Sequence, residues 1–460
     1  MTMNAEIDHS TDRQEDTVER LIALVESGSD EEIRESLASV HPADVAEFLD
    51  PIDSREIRNK IFGLLAPDAA PAVLRLVSPG AREAIVGELS VERLQQILAA
   101  LETDDAADLL ASVPSERAQS VLAGLSGPLS ARIQQLLRYP PDTAGGLMQT
   151  EYAAVLEGAT VEEAVEIVRT LAEAVSDIHN VFVVDQHFHL LGILPLGRLI
   201  LARASETVDA VMDRQVISVT VNTDQEEVAQ LFRKYDLLSL PVTDPRGALL
   251  GRITIDDVVD VLEEEANEDF SKLSGLGQEE PIFDKPIRAI RRRLPWLGLN
   301  LVTTSVSASV IGLFQDTIQT MAIAAAMMTI VAAQGGNAGV QTLTVMVRGL
   351  ALGQVTMAHA RAVLMKELAV ACGNGMALGL AAGLSGYVLH RQPLLSVVLG
   401  VALLFNYLVA ALVASLIPLT LHWLRADPAA ASSVFVTACT DLCGFFSFLG
   451  LLTIGLRFFA

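Results

Sequence analysis

The sequence predicts a multidomain membrane protein. Its expected parts are an all-α superhelical N-domain, an α/β tandem repeat, an acidic connecting helix and a five-helix all-α transmembrane domain. Three observations carry this. Charge is split along the chain: residues 1–285 hold 22 Lys+Arg and 53 Asp+Glu, a net −31, whereas residues 286–460 hold 10 and 4, a net +6. The second part contains five apolar stretches of roughly 20 residues or more, the length that spans a hydrocarbon core of about 30 Å. Between the charged start and the apolar end, a helix–strand–strand pattern occurs twice with the same spacing.

With 460 residues the chain is long enough for several domains. The acidic excess of its first part argues against a nucleic-acid partner, because phosphates would be repelled, and it suits cations. The opening MTMNAEIDHSTDRQEDTVER has neither a basic n-region nor an apolar core. It does not read as a signal peptide, so the N-terminal part is expected in the cytosol. Cys372, Cys439 and Cys443 all fall in the apolar part, and neither a disulfide framework nor a zinc site is expected.

Residues 17–137 read as short helices joined by tight turns. Apolar positions recur at helical spacing in SVERLQQILAAL and DDAADLLASV. Pro and Gly interrupt often, in HPAD, LDPID, LAPDAAP and VSPG. A small superhelix of helical pairs follows, with scaffolding as its default role.

Residues 145–262 alternate helix with paired strands. TVEEAVEIVRTLAEA, NVFVVD and LLGILPLGRLI form the first copy, and DQEEVAQLFRKYDLLSLPVTDPRGALLGRITIDDVVDVL repeats the order. Thr160 with Glu163 predicts a capping box, and Asp224 with Glu227 an analogous cap. The pair resembles tandem CBS domains. That resemblance implies an adenine-nucleotide ligand held by a Gly, Ser/Thr, Asp pattern at the strand-to-helix turn. The second copy keeps Gly251, Thr254 and Asp257, whereas the first has Gly192 but Pro195 and Arg198. ATP is therefore left open at the second copy and disfavoured at the first. HFH, with His187 and His189, could clip a metal, but its expected setting is a hairpin turn.

Residues 256–285 follow as an acidic connecting helix. Between Asp256 and Asp269 there are eight carboxylates and no basic residue. Like charges one turn apart destabilise a helix, so something must compensate for them.

The transmembrane domain occupies residues 286–460, with helices expected at about 294–314, 317–336, 366–389, 394–422 and 432–457. Arg291, Arg292 and Arg293 precede the first; Arg348, Arg361 and Lys366 fall between the second and third; Arg425 falls between the fourth and fifth. The positive-inside rule then puts the N-terminus inside and the C-terminus outside. Asp441, in VFVTACTDLCGFFSFLG, is the sharpest intramembrane polar group and points to a cation pathway. Gly335, Gly336 and Gly339 should break or bend the end of the second helix, either lining a cavity or marking a plain helix end at the cytosolic surface. Glu367 reads as an interfacial first-turn carboxylate. Cys439 and Cys443, one helical turn apart and flanking Asp441, read as small packing residues.

This order of domains resembles the MgtE family of magnesium transporters and channels. RYPPDTAGGLM before the repeats, GGNAGVQ after the second membrane helix and DPAAASSVFVTACTDLCGFFSFLGL around the fifth carry the likeness. The resemblance implies a homodimer in the cytoplasmic membrane, embedded in the lipid bilayer, that passes Mg²⁺ into the cytosol through a pore on the dimer axis. Asp441 matches the pore carboxylate, and Asn337 a polar residue near the inner pore. Mg²⁺ is also implied as the regulator. The implied sensor ligands are Asp104 in the helical domain; Asp224, Glu226 and Asp236 in the second repeat; Asp257, Asp260, Glu265, Glu268 and Asp269 on or near the connecting "plug" helix; and Asp427 after the fourth membrane helix. Ala72 stands where the family often has an acid, and Gln149, Gln334 and Val340 also depart from its pattern.

The chemistry agrees with that assignment. Mg²⁺ is hard, reluctant to dehydrate and prefers oxygen ligands, so sparse carboxylates around a watery path suit it. Transition metals would draw clustered His or Cys, which the membrane helices lack. The competing reading is a CBS-regulated transporter of another divalent cation or solute, gated by nucleotide. A membrane-bound enzyme is disfavoured, since no phosphate loop or nucleophile–base arrangement is recognisable.

Overall fold

The computed structural model describes residues 29–52, 54–172, 178–276, 280, 286–430 and 433–459. Sequence expectations for residues 17–28, for the end of the TVEEAVEIVRTLAEA helix and for most of 277–285 lie outside the described residues. The chain divides into two compact units, residues 1–261 and 262–460.

The first unit begins with short helices of 8 to 10 residues: α1 (Asp30–Ala38), α2 (Pro42–Leu49), α3 (Arg55–Leu64), α4 (Ala69–Leu76), α5 (Pro79–Glu88), α6 (Val91–Leu98), α7 (Thr103–Ala111), α8 (Ser115–Gly124) and α9 (Gly127–Leu136). Serines set several of the starts. Ser29, Ser54, Ser78 and Ser90 each accept a hydrogen bond from the amide three residues on, satisfying a donor the helix cannot. Helices this short are marginal alone, so their stability comes from packing. That packing skips one helix at a time: α2 against α4, α3 against α5, α6 against α8, α7 against α9. Leu49, Ile61, Val73, Val121 and Ile133 are fully buried between them.

A short α10 (Ala144–Leu147) leads into the repeats. The first comprises β1 (Ala153–Leu156), α11 (Val161–Leu171), β2 (Asn180–Val184), β3 (Leu190–Pro195), α12 (Leu196–Leu201) and α13 (Val208–Val211). The second comprises β4 (Val219–Thr220), α14 (Gln225–Tyr235), β5 (Ser239–Thr243) and β6 (Leu249–Thr254). Each builds a three-stranded sheet in sequential order, parallel across the helix and antiparallel across the hairpin. The leading strands were not foreseen, because four and two residues are too short for period-2 alternation to show. The Thr160–Glu163 capping box forms as expected. Asp224 caps α14 differently: its carboxylate accepts from the Glu226 amide, not from Glu227.

Helix α15 (Ile255–Leu273) begins in the first unit and ends in the second. Val258 and Val261 bury its first turns, and Gly275, with φ of 76°, follows its end.

The second unit contains α16 (Pro286–Gly312), α17 (Gln315–Thr320), α18 (Ile323–Ala351), α19 (Ala360–His390), α20 (Pro393–Trp423) and α21 (Ser433–Phe459). Five of these, all but α17, are long and apolar enough to cross a membrane. Helix α20 is central and packs against α18, α19 and α21, while α16 packs against α21. Three expectations need correcting. Residues 315–320 form the separate α17, so the second membrane helix starts later, at Ile323. That helix neither breaks nor ends at its glycines: Gly335, Gly336 and Gly339 lie in the middle of an unbroken α18 and are buried. They permit close approach, since a Cβ on Gly339 would sit 2.5 Å from Val436 Cγ1. Glu367 is not in a first turn. It lies seven residues into α19, only 4% exposed, with Lys366 Nζ 2.6 Å away.

The α19–α20 crossing is built from small residues, which let backbones meet in a lipid environment that gives little hydrophobic drive to association. A Cβ on Gly379 would stand 2.7 Å from the Gly400 carbonyl oxygen, a backbone atom that cannot swing aside. Gly379→Ala should therefore lower the melting temperature of the purified protein through overpacking of about 1–3 kcal/mol. Gly373→Ala on the same helix, with nothing within 4 Å, should not. Equal melting temperatures for the two variants would contradict this account of the crossing.

Candidate ion path and carboxylate sites

In the membrane unit Asp441 lies on α21, half-buried. Among the described residues no basic side chain stands within ion-pair distance of it. Asn337 lies on α18 with its side chain exposed, and α18 packs directly against α21. The cysteines flanking Asp441 are free and half-buried.

One polar residue here escaped the sequence reading. Asn406, in the middle of α20, is fully buried; its Nδ2 donates to the Val331 carbonyl at 2.9 Å, and its Oδ1 has no partner among the described residues. It explains two glycines, because a Cβ on Gly335 or Gly444 would meet its Nδ2 at 2.0 or 2.7 Å. The single Asn in a strongly apolar 31-residue helix was the available signal. Next to it, the Tyr407 hydroxyl donates to Gln334 Oε1 at 2.9 Å, which gives Gln334 a packing role.

Acidic groups collect at each end of α15. At its start, Asp257 meets Asp104 and Asp105 of α7. Asp104 is 6% exposed, and burial, the charge of Asp257 and that of Asp105 push its pKa well above the usual carboxylate range. Asp257 is raised to about 7 by burial, with the charge of Asp256 adding to it; the Thr254 hydroxyl, donating to Asp257 Oδ2 at 2.7 Å, opposes the rise. Asp105 is raised to about 6 by burial and partly relieved by Arg75. Arg75 lies 3.7 Å from Asp105 and 3.9 Å from Asp256. It is one helical turn beyond Ala72, so this chain brings a cation to the cluster from the helix where the family often has an acid.

At the other end, Asp269 lies within reach of the charges of Asp427, Glu265 and Glu268. Burial, then the charges of Asp427 and Glu265, raise Asp269 to about 6. Lys272 was not foreseen as a partner. Its Nζ stands 2.7 Å from Glu268 and 2.6 Å from Asp427, an i,i+4 pair plus a long-range one. Asp427 Oδ1 also accepts from the Ala429 amide, capping the turn at Pro428–Ala430. Asp260 is exposed on α15 between the two groups.

The structure does not bring Asp224 and Asp236 together. They flank α14 at its two ends, about 18 Å apart at the usual rise. Asp224 is the N-cap, and Asp236 is the C-cap in left-handed conformation, φ 51°. Glu226 sits in the first turn of α14, where Gln230 Nε2 donates to it at 3.4 Å.

Of the nucleotide-pattern residues in the second repeat, Thr254 and Asp257 are bonded to each other. Gly251 is there for close approach, since a Cβ would meet the Gln149 carbonyl oxygen at 2.6 Å. Gln149, unusual for the family, is buried and ties these parts together. Its Oε1 accepts from Arg252 Nε and Nη2 at 3.1 and 2.9 Å, and its Nε2 donates to Glu102 at 3.2 Å.

Residues 40–142 match the MgtE intracellular N domain, residues 144–205 and 208–264 match CBS domains, and residues 328–451 match MgtE, divalent cation transporter. The chain is 35% identical over 331 residues to the magnesium transporter MgtE of Enterococcus faecalis, covering 72% of this chain and 73% of that one. It is 37% identical over 324 residues to the magnesium transporter MgtE of Thermus thermophilus, covering 69% and 71%. The solved cytosolic domain of the Mg²⁺ channel MgtE in complex with ATP superposes with a TM-score of 0.51 at 38% identity, over 53% of this chain and 99% of that one. With its helical domain, paired repeats and five apolar helices in the family's order, the chain belongs to the MgtE family of divalent cation transporters.

Proposed function

We propose that this chain carries Mg²⁺ across the cytoplasmic membrane into the cytosol, along a path that passes Asp441, and that its cytosolic carboxylates sense Mg²⁺ and close that path. The observation that carries the gating half is a single helix, α15, with clustered carboxylates at each end, where burial and neighbouring charge raise the pKa of Asp257 at its start and of Asp269 near its finish. Such groups resist ionisation until a cation arrives, and a hard divalent ion is the cation that oxygen ligands favour. A ligand at ten times its Kd contributes about 1.4 kcal/mol per site. Several weak sites together approach the roughly 5.5 kcal/mol that takes a two-state equilibrium from mostly open to mostly closed. Relatives named as magnesium transporters support the choice of ion.

Asp441 and Asn337 then belong to the path, and a homodimer would set two copies of Asp441 face to face across its axis. Asp224 and Asp236, too far apart to share an ion within one chain, would each complete a site with groups of the second copy. The ATP complex of the related cytosolic domain supports a nucleotide ligand for this chain, and Gly251, Thr254 and Asp257 of the second repeat would hold it. Absence of ATP binding to the full-length protein would remove that part.

Asp441→Ala should reduce Mg²⁺ uptake into liposomes holding a Mg²⁺-sensitive dye by at least about tenfold, as loss of a charge at the path implies. The variant should keep Mg²⁺-dependent protection of its cytosolic part from protease. Normal conduction would show that the path lies elsewhere. The paired change Asp257→Asn and Asp260→Asn should do the opposite, leaving flux on when internal Mg²⁺ is high; closure at the wild-type concentration would refute the sensing role.

The raised carboxylates also fix the sign of a pH effect. Asp257, near 7, and Asp105 and Asp269, near 6, hold protons in the folded chain that the unfolded chain sheds above about 4. The native state binds more protons between those limits, so metal-free stability rises as pH falls from 7 toward 4. Mg²⁺ favours the ionised form. Its rise in melting temperature should therefore be largest at pH 8 and fade by pH 5, and a pH-independent increment would contradict this.

A further inference from the structure

The hairpin turns of the two repeats are equivalent, and their differences isolate two histidines. In each turn an aspartate at the first position folds the loop. Asp185 Oδ1 accepts from the amides of His187 and His189 at 2.7 and 2.9 Å. Asp244 Oδ1 accepts from the amides of Arg246 and Ala248, both at 2.8 Å. The fourth position has positive φ in both, 90° at Gly247 and 64° at Phe188. Glycine takes that conformation freely and phenylalanine does not. The two tips lie side by side at the seam between the repeats: Leu190 donates its amide to the Gly247 carbonyl at 3.1 Å, and Leu249 donates to that of Phe188 at 2.9 Å.

On this shared scaffold the second turn carries Arg246 and Ala248, and the first carries two imidazoles. The rings of His187 and His189 stack with centroids 6.0 Å apart. His189 Nδ1 is 2.9 Å from Asp185 Oδ2, and one ligand atom from each of Asp185, His187 and His189 falls within 4.8 Å of the others. A tetrahedral ion with bonds of about 2.0–2.1 Å needs its donors about 3.3 Å apart. The Asp185–His189 pair is already that close, and the exposed His187 ring closes the remainder by side-chain rotation. Two imidazoles and a carboxylate suit borderline transition ions and not Mg²⁺, which takes oxygen donors and keeps its waters. The hairpin expected at HFH is present, and it also gathers a donor set.

We propose that Asp185, His187 and His189 bind one divalent transition ion of the Zn²⁺ class at the seam between the two repeats, independently of the Mg²⁺ carboxylates. The remaining coordination positions face solvent and would hold water.

Equilibrium dialysis of the full-length protein against Zn²⁺, with Mg²⁺ at about 10 mM to occupy weak carboxylates, tests this. Wild type should hold one Zn²⁺ per chain, and His189→Ala should weaken that binding at least tenfold. A triple variant, His187→Arg, Phe188→Gly and His189→Ala, copies the second turn's own residues at these positions and so keeps a turn this fold already makes. It should lose the Zn²⁺ and the Zn²⁺-dependent rise in melting temperature while its metal-free melting temperature stays at or above that of wild type. Phe188→Gly alone should retain the ion. No Zn²⁺ on the wild type under these conditions, or unchanged Zn²⁺ on the triple variant, would overturn the proposal.

Discussion

Crowded negative charge on one helix is the constraint around which the cytosolic half is arranged. Helix α15 carries eight carboxylates before its first lysine, and Asp257, Glu265, Glu268 and Asp269 among them are half-buried. In water two charges about 4 Å apart repel by roughly 1 kcal/mol, and salt weakens that further. Burial amplifies the effect, because a carboxylate taken from water has lost hydration that a single neutral hydrogen bond does not replace. Asp104 and Asp257 are in that position, and Arg75 and Lys272 offset only part of the excess. A helix assembled this way is poorly satisfied without cations and well satisfied with them. That asymmetry makes it suitable as a sensor.

The membrane half follows a different rule. With lipid outside and apolar residues within, nothing resembling hydrophobic collapse holds the helices together, so close backbone approach must. Gly379 against Gly400, and Gly339 against Val436, are instances. Against that background the few polar groups stand out. Asn406 donates its amide to the Val331 carbonyl and, among the described residues, has no partner for its side-chain oxygen beside the glycines of α18 and α21. Asp441 sits on the same α21 with no cation to neutralise it among the described residues.

How much of this could be read from the sequence depended on the range of the signal. Five membrane helices, short capped helices and a duplicated strand pattern are local and periodic, and all are legible. Local composition misled at Gly335, Gly336 and Gly339, because glycine weakens an isolated helix but admits a neighbour in a packed one. The candidate acids were legible as residue types and not as groupings. Asp104 and Asp257 lie 153 positions apart and converge, whereas Asp224 and Asp236 are near in sequence and separated by a full helix. Arg75 and Gln149, and Lys272 in its pairing with Asp427, owe their partners to tertiary contacts that no spacing encodes. Even the HFH motif needed the fold, since only the turn shared with the second repeat shows what its histidines replace.

The most direct test of the central claim is backbone hydrogen exchange along residues 255–273 of the full-length protein as Mg²⁺ is varied. If cations relieve the crowding on α15, amides in its acidic second half should be strongly protected in millimolar Mg²⁺ and should exchange quickly when it is removed, while the buried strands β2 and β5 stay unchanged. Identical exchange along α15 with and without Mg²⁺ would mean that the carboxylates are a solvated surface, and the account of gating would fail.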